Sequence, residues 1–366
     1  MQRGSTTFLA ITVIIFFFTS QLSSTFLPIY FRDSGMSVSE IMVVMFFTFA
    51  VIGLLPVALL RITKHLERIL SLGVLCTALF YFALIYVENP ALLGLAYGVG
   101  IATFWPSFNL LMFRLSDVGK RATIISLFSV TIPSITGIAS PAVGGFVIDA
   151  LGFTALFASS ILLYLVAFMF SLGINYHPET LQFSIPRSPM FVVFLLTFVL
   201  FGMSESYWIA YPFFIYSVST TALNMGLVVA ASSLVISIVT VGICRISDVK
   251  RRRVEFAVVS SILYSCWYLA LTQVSNMMEI VVLSLLSGFA SAFALSWSAH
   301  YGDSFDRRYH ASILVMMEVA LMGGRMLNLI PTHLFIMTYD YAPYFIVLSF
   351  ASMLLIPLFI KSKNQT

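Results

Sequence analysis

The main shortage in this sequence is charge. Only 9% of the 366 residues are Asp, Glu, Lys or Arg, whereas 60% are hydrophobic and the mean hydropathy is +1.01. A soluble domain averages about 25% charged residues and about 45–50% apolar ones. No polar block is long enough to fold as a separate soluble domain. The composition therefore predicts an integral membrane protein throughout.

Residues that build metal, redox and phosphate sites are also scarce. The three cysteines, Cys76, Cys244 and Cys266, lack a paired spacing for disulfides or zinc, and the five histidines lack metal-ligand spacing. No G-x-x-x-x-G-K-S/T loop is present to hold a nucleotide phosphate. We therefore predict no metal, no cofactor, no enzymatic activity and no ATP-driven pumping by this chain alone.

Long apolar runs recur from one end of the chain to the other. A run of about 20 apolar residues is enough to cross roughly 30 Å of hydrocarbon as a helix. The runs are continuous, without the period-two alternation of a membrane β-barrel. They predict an all-α membrane protein with about twelve transmembrane helices, at 7–31, 39–60, 68–87, 91–115, 121–149, 153–174, 189–217, 222–244, 254–273, 279–301, 311–338 and 341–361.

Basic residues are distributed unevenly between the loops. Seventeen of the nineteen Lys and Arg residues fall on one side of the predicted membrane, and the opposite side holds Arg32 among several acids. Because cytoplasmic loops carry the excess of Lys and Arg, we predict a multi-pass protein of the cell membrane with both termini in the cytoplasm. The net charge of +4 is then a topology signal and does not indicate nucleic-acid binding.

One apolar run, at 197–216, carries an acid near its middle. A carboxylate such as Glu205 costs roughly 3 kcal/mol or more at bilayer depth, so it should face a protein interior or a wet cavity. Trp208, Ile209 and Pro212 follow at i+3, i+4 and i+7, which is one face of a continuous helix.

The first apolar run has a matching face. Gln21 corresponds to Glu205 and Pro28 to Pro212, because 205 − 21 and 212 − 28 both equal 184. Two six-helix halves of parallel topology are the signature of one transporter architecture. We predict an N-terminal bundle at 1–174, a cytoplasmic linker at 175–188 and a C-terminal bundle at 189–366.

The chain resembles the major facilitator superfamily over essentially its whole length. Asp248 with Arg252-Arg253 keeps the acid-to-arginine spacing of the family's loop motif, G-x-x-x-D-R-x-G-R-R. The segment 137–145 is close to the G-x-x-G-P-x-x-G-G stretch of the family's antiporters, with Ser140 replacing a glycine. The resemblance implies a twelve-helix, monomeric secondary transporter of the drug/proton-antiporter type. Its partners would be a small-molecule substrate, protons and the lipid bilayer.

The resemblance also implies where the functional residues lie. The substrate cavity would sit at mid-membrane between the halves, on the first, fourth, seventh and tenth helices. Candidate substrate-binding residues there are Gln21, Ser24, Trp105, Asn109, Trp208, Tyr211, Trp297 and His300. Candidate gating residues are Pro141, Gly144 and Gly145, expected to allow bending and close packing against the opposite half, and Asp248 with Arg252, expected to form a cytoplasmic charge pair.

The eleventh predicted helix holds Arg325, at a depth similar to that of Glu205. An arginine there needs a counter-charge, for which Glu205 is the first candidate and Glu318 the second. These three residues are the candidate proton-coupling set, with Glu205 alternately protonated and paired with Arg325. A permanent structural pair, or substrate contact without coupling, is the alternative.

Three functions remain open at this point. The antiporter-like fifth helix and an aromatic cavity with few charges favour proton-coupled export of an amphipathic organic solute. The alternative is a proton-coupled uptake symporter for a sugar, organic acid or amino acid. The third is a membrane receptor or scaffold that transports nothing.

Overall fold

The computed structural model describes residues 2–62, 64–115, 128, 131–176, 183–219, 221–250, 252–306, 309–338 and 340–363. Within these ranges the regular structure is α-helical, apart from one short 3-10 turn and isolated helical turns, and no residue is in a strand. The predicted all-α fold is therefore confirmed.

The chain divides into two compact units, Met1–Phe183 and Ser184–Thr366. The division falls inside the segment predicted to be a linker, 175–188.

The helices of the first unit pack in two groups of three. Specifically, α5 contacts α3 and α4, α1 contacts α6 and α7, and α4 also contacts α7. The helices are α1 (Gln2–Ser23), a 3-10 turn (Ser24–Phe26), α2 (Leu27–Asp33), α3 (Val38–Ile62), α4 (Leu66–Tyr86), α5 (Pro90–Leu115), α6 (Ile132–Leu151) and α7 (Phe153–Ser171).

The second unit repeats this set of neighbours. Here α12 contacts α10 and α11, α8 contacts α13 and α14, and α11 also contacts α14. The helices are α8 (Pro189–Met203), α9 (Ala210–Ser219), α10 (Ala222–Lys250), α11 (Arg253–Leu271), α12 (Met277–Asp303), α13 (His310–Ile336) and α14 (Tyr341–Lys363). The sequence repeat at an interval of 184 residues thus has a counterpart in how the helices of each unit pack.

Eleven helical stretches in the described part of the chain are long and apolar enough to cross a membrane. A twelfth apolar helix, α8, has only 15 residues. The predicted total of twelve spans therefore remains a prediction.

The seventh predicted span is not the continuous helix expected from the sequence. Helix α8 ends at Met203, α9 begins at Ala210, and Glu205 lies in the turn between them. The expectation that Glu205, Trp208 and Pro212 share one face of a single helix was therefore wrong. Proline has no N–H to bond the carbonyl four residues earlier, so Pro212 leaves the Trp208 carbonyl without its helical partner.

The first span is broken at the corresponding place. Its 3-10 turn, Ser24–Phe26, comes just before Pro28, as the break at 204–209 comes just before Pro212. The same proline effect therefore interrupts the opening helix of both units.

Helices α8 and α13 approach each other backbone to backbone. A Cβ on Gly324 would collide with the Val199 carbonyl and lie 2.9 Å from the Met203 nitrogen. A Cβ on Gly202 would collide with the Leu321 carbonyl and lie 2.8 Å from the Arg325 nitrogen. Small residues allow such close approach, which brings the end of α8 next to the middle of α13.

We predict that Gly324→Ala lowers the melting temperature (Tm) of the detergent-solubilised protein by several degrees. The added methyl forces α8 and α13 apart, and overpacking of this kind costs about 1–3 kcal/mol. Gly323→Ala is the matched control, because a Cβ on that neighbouring residue meets nothing within 4 Å. Equal Tm values for the two variants would contradict the close approach.

Candidate functional site

Glu205 and Arg325 form a two-pronged ion pair. Arg325 donates from Nε to Glu205 Oε2 at 2.7 Å and from Nη2 to Glu205 Oε1 at 3.0 Å. The Arg325 side chain is 15% exposed and that of Glu205 is 28% exposed. Bidentate Arg–carboxylate pairs are stronger and more directional than single charge-assisted hydrogen bonds. Of the two candidate counter-charges, Arg325 therefore contacts Glu205.

Trp208 completes this arrangement. Its indole Nε1 donates to Glu205 Oε2 at 3.0 Å, and the Arg325 guanidinium carbon lies 4.9 Å from the centre of its ring. A cation over an aromatic face at this distance is attracted to it. The Glu205 carboxylate thus accepts hydrogen bonds from Arg325 and Trp208, and these two side chains also contact each other.

The broken backbone around Glu205 is held by side chains from other helices. The Tyr268 hydroxyl donates to the Ser204 carbonyl, and Asn328 Nδ2 donates to the Glu205 carbonyl at 2.5 Å. Asn328 Nδ2 also lies 3.3 Å from the Tyr344 hydroxyl. Interrupted helices are tolerated in membranes only where other groups satisfy the freed backbone atoms.

Sequence reasoning missed Tyr268, Tyr344 and the role of Asn328. The available signal was position, because Asn328 lies three residues after Arg325 and so on the same side of α13. Its contact with a backbone carbonyl depends on the break after Met203, which the sequence pattern did not predict.

Glu318 lies two helical turns before Arg325, about 10 Å away along the axis of α13. It is partly buried, and no described residue forms a hydrogen bond or ion pair with its carboxylate. It is therefore separate from the bonded Glu205–Arg325 pair.

Gln21, the counterpart of Glu205 in the first unit, also reaches another helix. Its Nε2 donates to the Pro133 carbonyl, on α6, at 2.9 Å. Ser24 donates to the Ser20 carbonyl at 2.6 Å, four residues earlier in the same span. The corresponding position in each unit therefore binds the helix of the same rank, α6 or α13, but only the second unit does so with charge.

The other proposed first-unit residues lie together on α5. Trp105 has its ring 5.3 Å from that of Phe17, and Asn109 is partly buried one turn further along. Both residues belong to the first unit.

Three residues predicted to line a cavity lie largely in the interior of the second unit. Trp297 is 1% exposed, with its ring 4.8 Å from Phe194 and 4.4 Å from Phe359. Tyr211 is 2% exposed, and the partly buried His300 has its ring 5.4 Å from Trp297. Trp297 is a member of the hydrophobic core in this structure, so tight packing accounts for its position.

The predicted gating residues Pro141, Gly144 and Gly145 are all buried on α6. A Cβ on Gly144 would collide with the Leu22 carbonyl and lie 2.9 Å from the ring of Phe26. The close approach of Gly144 is thus to helix α1 and its 3-10 turn in the same unit, and packing of these residues against the opposite half stays a prediction. The opening helix of this unit lies directly against the glycine.

The predicted charge pair of Asp248 and Arg252 lies partly outside the described residues and stays a prediction. Asp248 lies in the last turn of α10 with its side chain outside the described residues, and Arg252 is exposed before the start of α11. Two other ion pairs occur at helix ends in this unit, Arg253 with Asp303 and Lys363 with Glu255.

The fold is that of known solute transporters. A POT family transporter in complex with a thioalcohol-conjugated peptide superposes with a TM-score of 0.81 at 11% identity, covering 99% of this chain and 96% of that one. A point mutant of the nucleoside transporter NupG gives 0.75 at 13% identity, covering 98% and 99%. A POT family transporter in complex with 5-aminolevulinic acid gives 0.76 at 12% identity, covering 99% and 96%. At these identities the likeness concerns the fold alone.

Residues 9–188 match the family described as Major Facilitator Superfamily. This match, together with eleven helices apolar enough to cross a membrane, supports a membrane transporter of the major facilitator type. The predicted multi-pass all-α fold and the absence of enzymatic function are confirmed by this assignment. The family match favours a transporter over the receptor or scaffold alternative.

Two relatives of this transporter come from bacilli. The "Uncharacterized protein in sodM 3'region" of Geobacillus stearothermophilus is 31% identical, over 37% of this chain and 68% of its own length. The "Uncharacterized protein YqgE" of Bacillus subtilis (strain 168) is 28% identical, over 41% of this chain and 37% of its own length. The alignment thus spans little more than a third of the second protein.

We predict that the transporter is destabilised by Glu205→Gln and by Arg325→Met individually, but by much less than their sum when both are present. Breaking a buried pair leaves one uncompensated charge, at a cost of about 3–5 kcal/mol. Removing both charges avoids that cost. Thermal unfolding of the unsubstituted protein, the two single variants and the double variant in detergent gives the interaction free energy between the two side chains.

The control for this cycle is Glu255→Gln. The Lys363–Glu255 pair is 55% and 46% exposed, so its loss should cost no more than about 1 kcal/mol. Additive effects at Glu205 and Arg325 would show that the two charges do not depend on each other.

Proposed function

We propose that the protein is a proton-coupled secondary transporter that exports a small amphipathic organic solute across the cytoplasmic membrane by alternating access. Glu205 carries the proton, and Arg325 is its partner when the proton is absent. The observation that carries this proposal is the bidentate Glu205–Arg325 pair at the break between α8 and α9.

The pair couples charge to helix position. A proton on Glu205 neutralises the carboxylate and removes its attraction to Arg325. Because Glu205 lies between two short helices and Arg325 within a 27-residue helix, separation of the pair releases α8 and α9 from α13. Discontinuous helices at mid-membrane commonly form the substrate and ion sites of secondary transporters.

Glu318 has a secondary place in this scheme. It is an acid at membrane depth on the same helix as Arg325, so it contributes a negative charge near the guanidinium. We assign it to tuning the strength of the Glu205–Arg325 pair, since it makes no direct bond to either residue in the described part of the chain.

The chemistry of the candidate residues supports an amphipathic solute. Trp208 lies beside the pair, Trp105 lies in an aromatic cluster of the first unit, and uncharged polar groups come from Gln21, Ser24 and Asn109. Such a set suits a solute with aromatic or apolar surface better than a polyanion. Export is favoured by the antiporter-like segment 137–145 of α6, with its buried proline and glycines.

Uptake of an amphoteric solute, such as an amino acid or short peptide, is the second candidate. Two transporters of similar fold are described in complex with a thioalcohol-conjugated peptide and with 5-aminolevulinic acid. An opened Glu205–Arg325 pair presents one negative and one positive group, which complement the ammonium and carboxylate of such a solute.

We predict that a panel of amphipathic organic compounds contains members that raise the Tm of the purified protein. Stabilisation should grow with concentration as RT ln(1 + [L]/Kd), because the ligand binds the folded state. The measurement is thermal unfolding in detergent at several pH values. Stabilisation by amino acids or peptides, without any by amphipathic compounds, would favour the second candidate.

We predict that Glu205→Gln abolishes accumulation driven by a pH gradient in proteoliposomes but leaves substrate exchange without a gradient. Glutamine cannot carry the proton, whereas the substrate can still cross in both directions. Glu279→Gln, at an exposed acid in the first turn of α12, is the control and should retain both activities. Full gradient-driven accumulation by Glu205→Gln would identify the ion pair as purely structural.

A further inference from the structure

The backbone of Glu205 depends on another helix for a hydrogen bond. Its N–H donates to the Gly202 carbonyl at 3.4 Å, which is longer than an ordinary N–H to carbonyl bond. Its carbonyl accepts from Asn328 Nδ2 at 2.5 Å. Because Glu205 lies between the end of α8 and the start of α9, this side-chain bond replaces part of what a continuous helix would supply.

The first unit satisfies the matching carbonyl in a different way. There the Gln21 carbonyl accepts from Thr25 Oγ1 at 3.3 Å, four residues later in the same span. At the repeat interval of 184 residues, Thr25 corresponds to Ile209, whose side chain has no hydroxyl to donate. In the second unit the donor therefore comes from α13.

Asn328 is itself held in place by buried hydroxyl groups. The Tyr344 hydroxyl, on α14, lies 3.3 Å from Asn328 Nδ2 and 3.4 Å from Asn328 Oδ1. Thr332 Oγ1 lies 3.4 Å from the same hydroxyl and donates to the Asn328 carbonyl at 2.7 Å. Asn328, Tyr344 and Thr332 are 7%, 1% and 2% exposed. These contacts fix the amide with its NH2 group, its hydrogen-bond donor, towards Glu205.

One helix thus bonds both the backbone and the side chain of Glu205. Arg325 bonds the two carboxylate oxygens, and Asn328, three residues later on the same side of α13, bonds the carbonyl. The place of the carbonyl sets where the side chain begins, and so how the carboxylate meets the guanidinium. Functional side chains are commonly kept in place by supporting hydrogen bonds of this kind.

We propose that Asn328, supported by Tyr344, is the positioning residue of the Glu205–Arg325 pair. It carries neither charge nor proton, and it acts by holding the Glu205 carbonyl at the distance from which the carboxylate reaches both guanidinium nitrogens. Any effect on proton coupling rests on the proposed function, whereas the positioning role rests on the hydrogen bonds alone.

The positioning role is tested by repeating the thermal-unfolding cycle of Glu205→Gln and Arg325→Met in an Asn328→Ala background. The interaction between the two charged side chains, expressed as an equilibrium constant, should fall roughly 2- to 30-fold. A residue that only stabilised the fold would lower every Tm and leave the interaction unchanged. An unchanged interaction in Asn328→Ala would therefore overturn the proposal.

Ser265→Ala is the matched control for this cycle. Ser265 Oγ lies 2.6 Å from Ser349 Oγ, in a buried hydrogen bond between α11 and α14. Its loss should lower the Tm without changing the interaction between Glu205 and Arg325. An equal fall in the control would show that any lost interhelical bond weakens the pair, and would overturn a specific role for Asn328.

Tyr344→Phe is the second variant, and it leaves the Glu205 carbonyl paired with Asn328. It removes the hydroxyl that holds the amide but keeps the ring, so the interaction should fall in the same direction and by less. If Asn328→Ala does not fold, an unchanged interaction in Tyr344→Phe overturns the proposal. If Asn328→Ala does fold, the same result overturns the supporting role of Tyr344.

The effect on transport is tested in proteoliposomes. Accumulation driven by a pH gradient should fall severalfold in Asn328→Ala, or in Tyr344→Phe if the first variant does not fold, while exchange without a gradient continues. Ser265→Ala should retain both activities, and equal accumulation in the two variants would overturn the effect on coupling. Unimpaired coupling in Glu205→Gln would instead overturn the proposed function and leave the result of the unfolding cycle standing.

Discussion

The ion pair between Glu205 and Arg325 is the interaction around which the second unit is built. A charge at bilayer depth is costly unless another charge or a wet cavity compensates it. The two side chains are mostly buried and bonded through both carboxylate oxygens. Their contact requires α8 and α13 to run close together, which Gly202 and Gly324 permit by meeting the opposing backbone directly. Backbone packing and charge pairing therefore place the same two helices together.

The helix break adds a second constraint of the same kind. Carbonyl groups freed by the interruption cannot be left unbonded in an apolar environment. Tyr268 from α11 and Asn328 from α13 bond the carbonyls of Ser204 and Glu205. The carboxylate and the backbone carbonyl of Glu205 are thus both bonded by residues of the same helix, α13.

The two units differ in the chemistry of one matching contact. Both opening helices are interrupted before a proline, and both send a polar side chain from the matching position to a later helix. In the first unit this contact is an amide of Gln21 bonded to the Pro133 carbonyl, which does not change with pH. In the second unit it is a carboxylate, whose charge a proton removes. The repeated architecture supplies the geometry, and one residue difference makes this contact ionisable in the second unit.

The amino-acid sequence by itself determined the membrane class, the all-α fold and the special position of Glu205, because the length of an apolar run and the cost of a charge within it are local properties. It did not determine the break at 204–209, the same-unit partner of Gly144 or the core position of Trp297. In a membrane, lipid is as apolar as the protein interior, so a helix that is hydrophobic all round does not encode which face meets another helix. Only the tertiary structure decided those contacts, since they depend on how neighbouring helices are rotated and how closely their backbones approach.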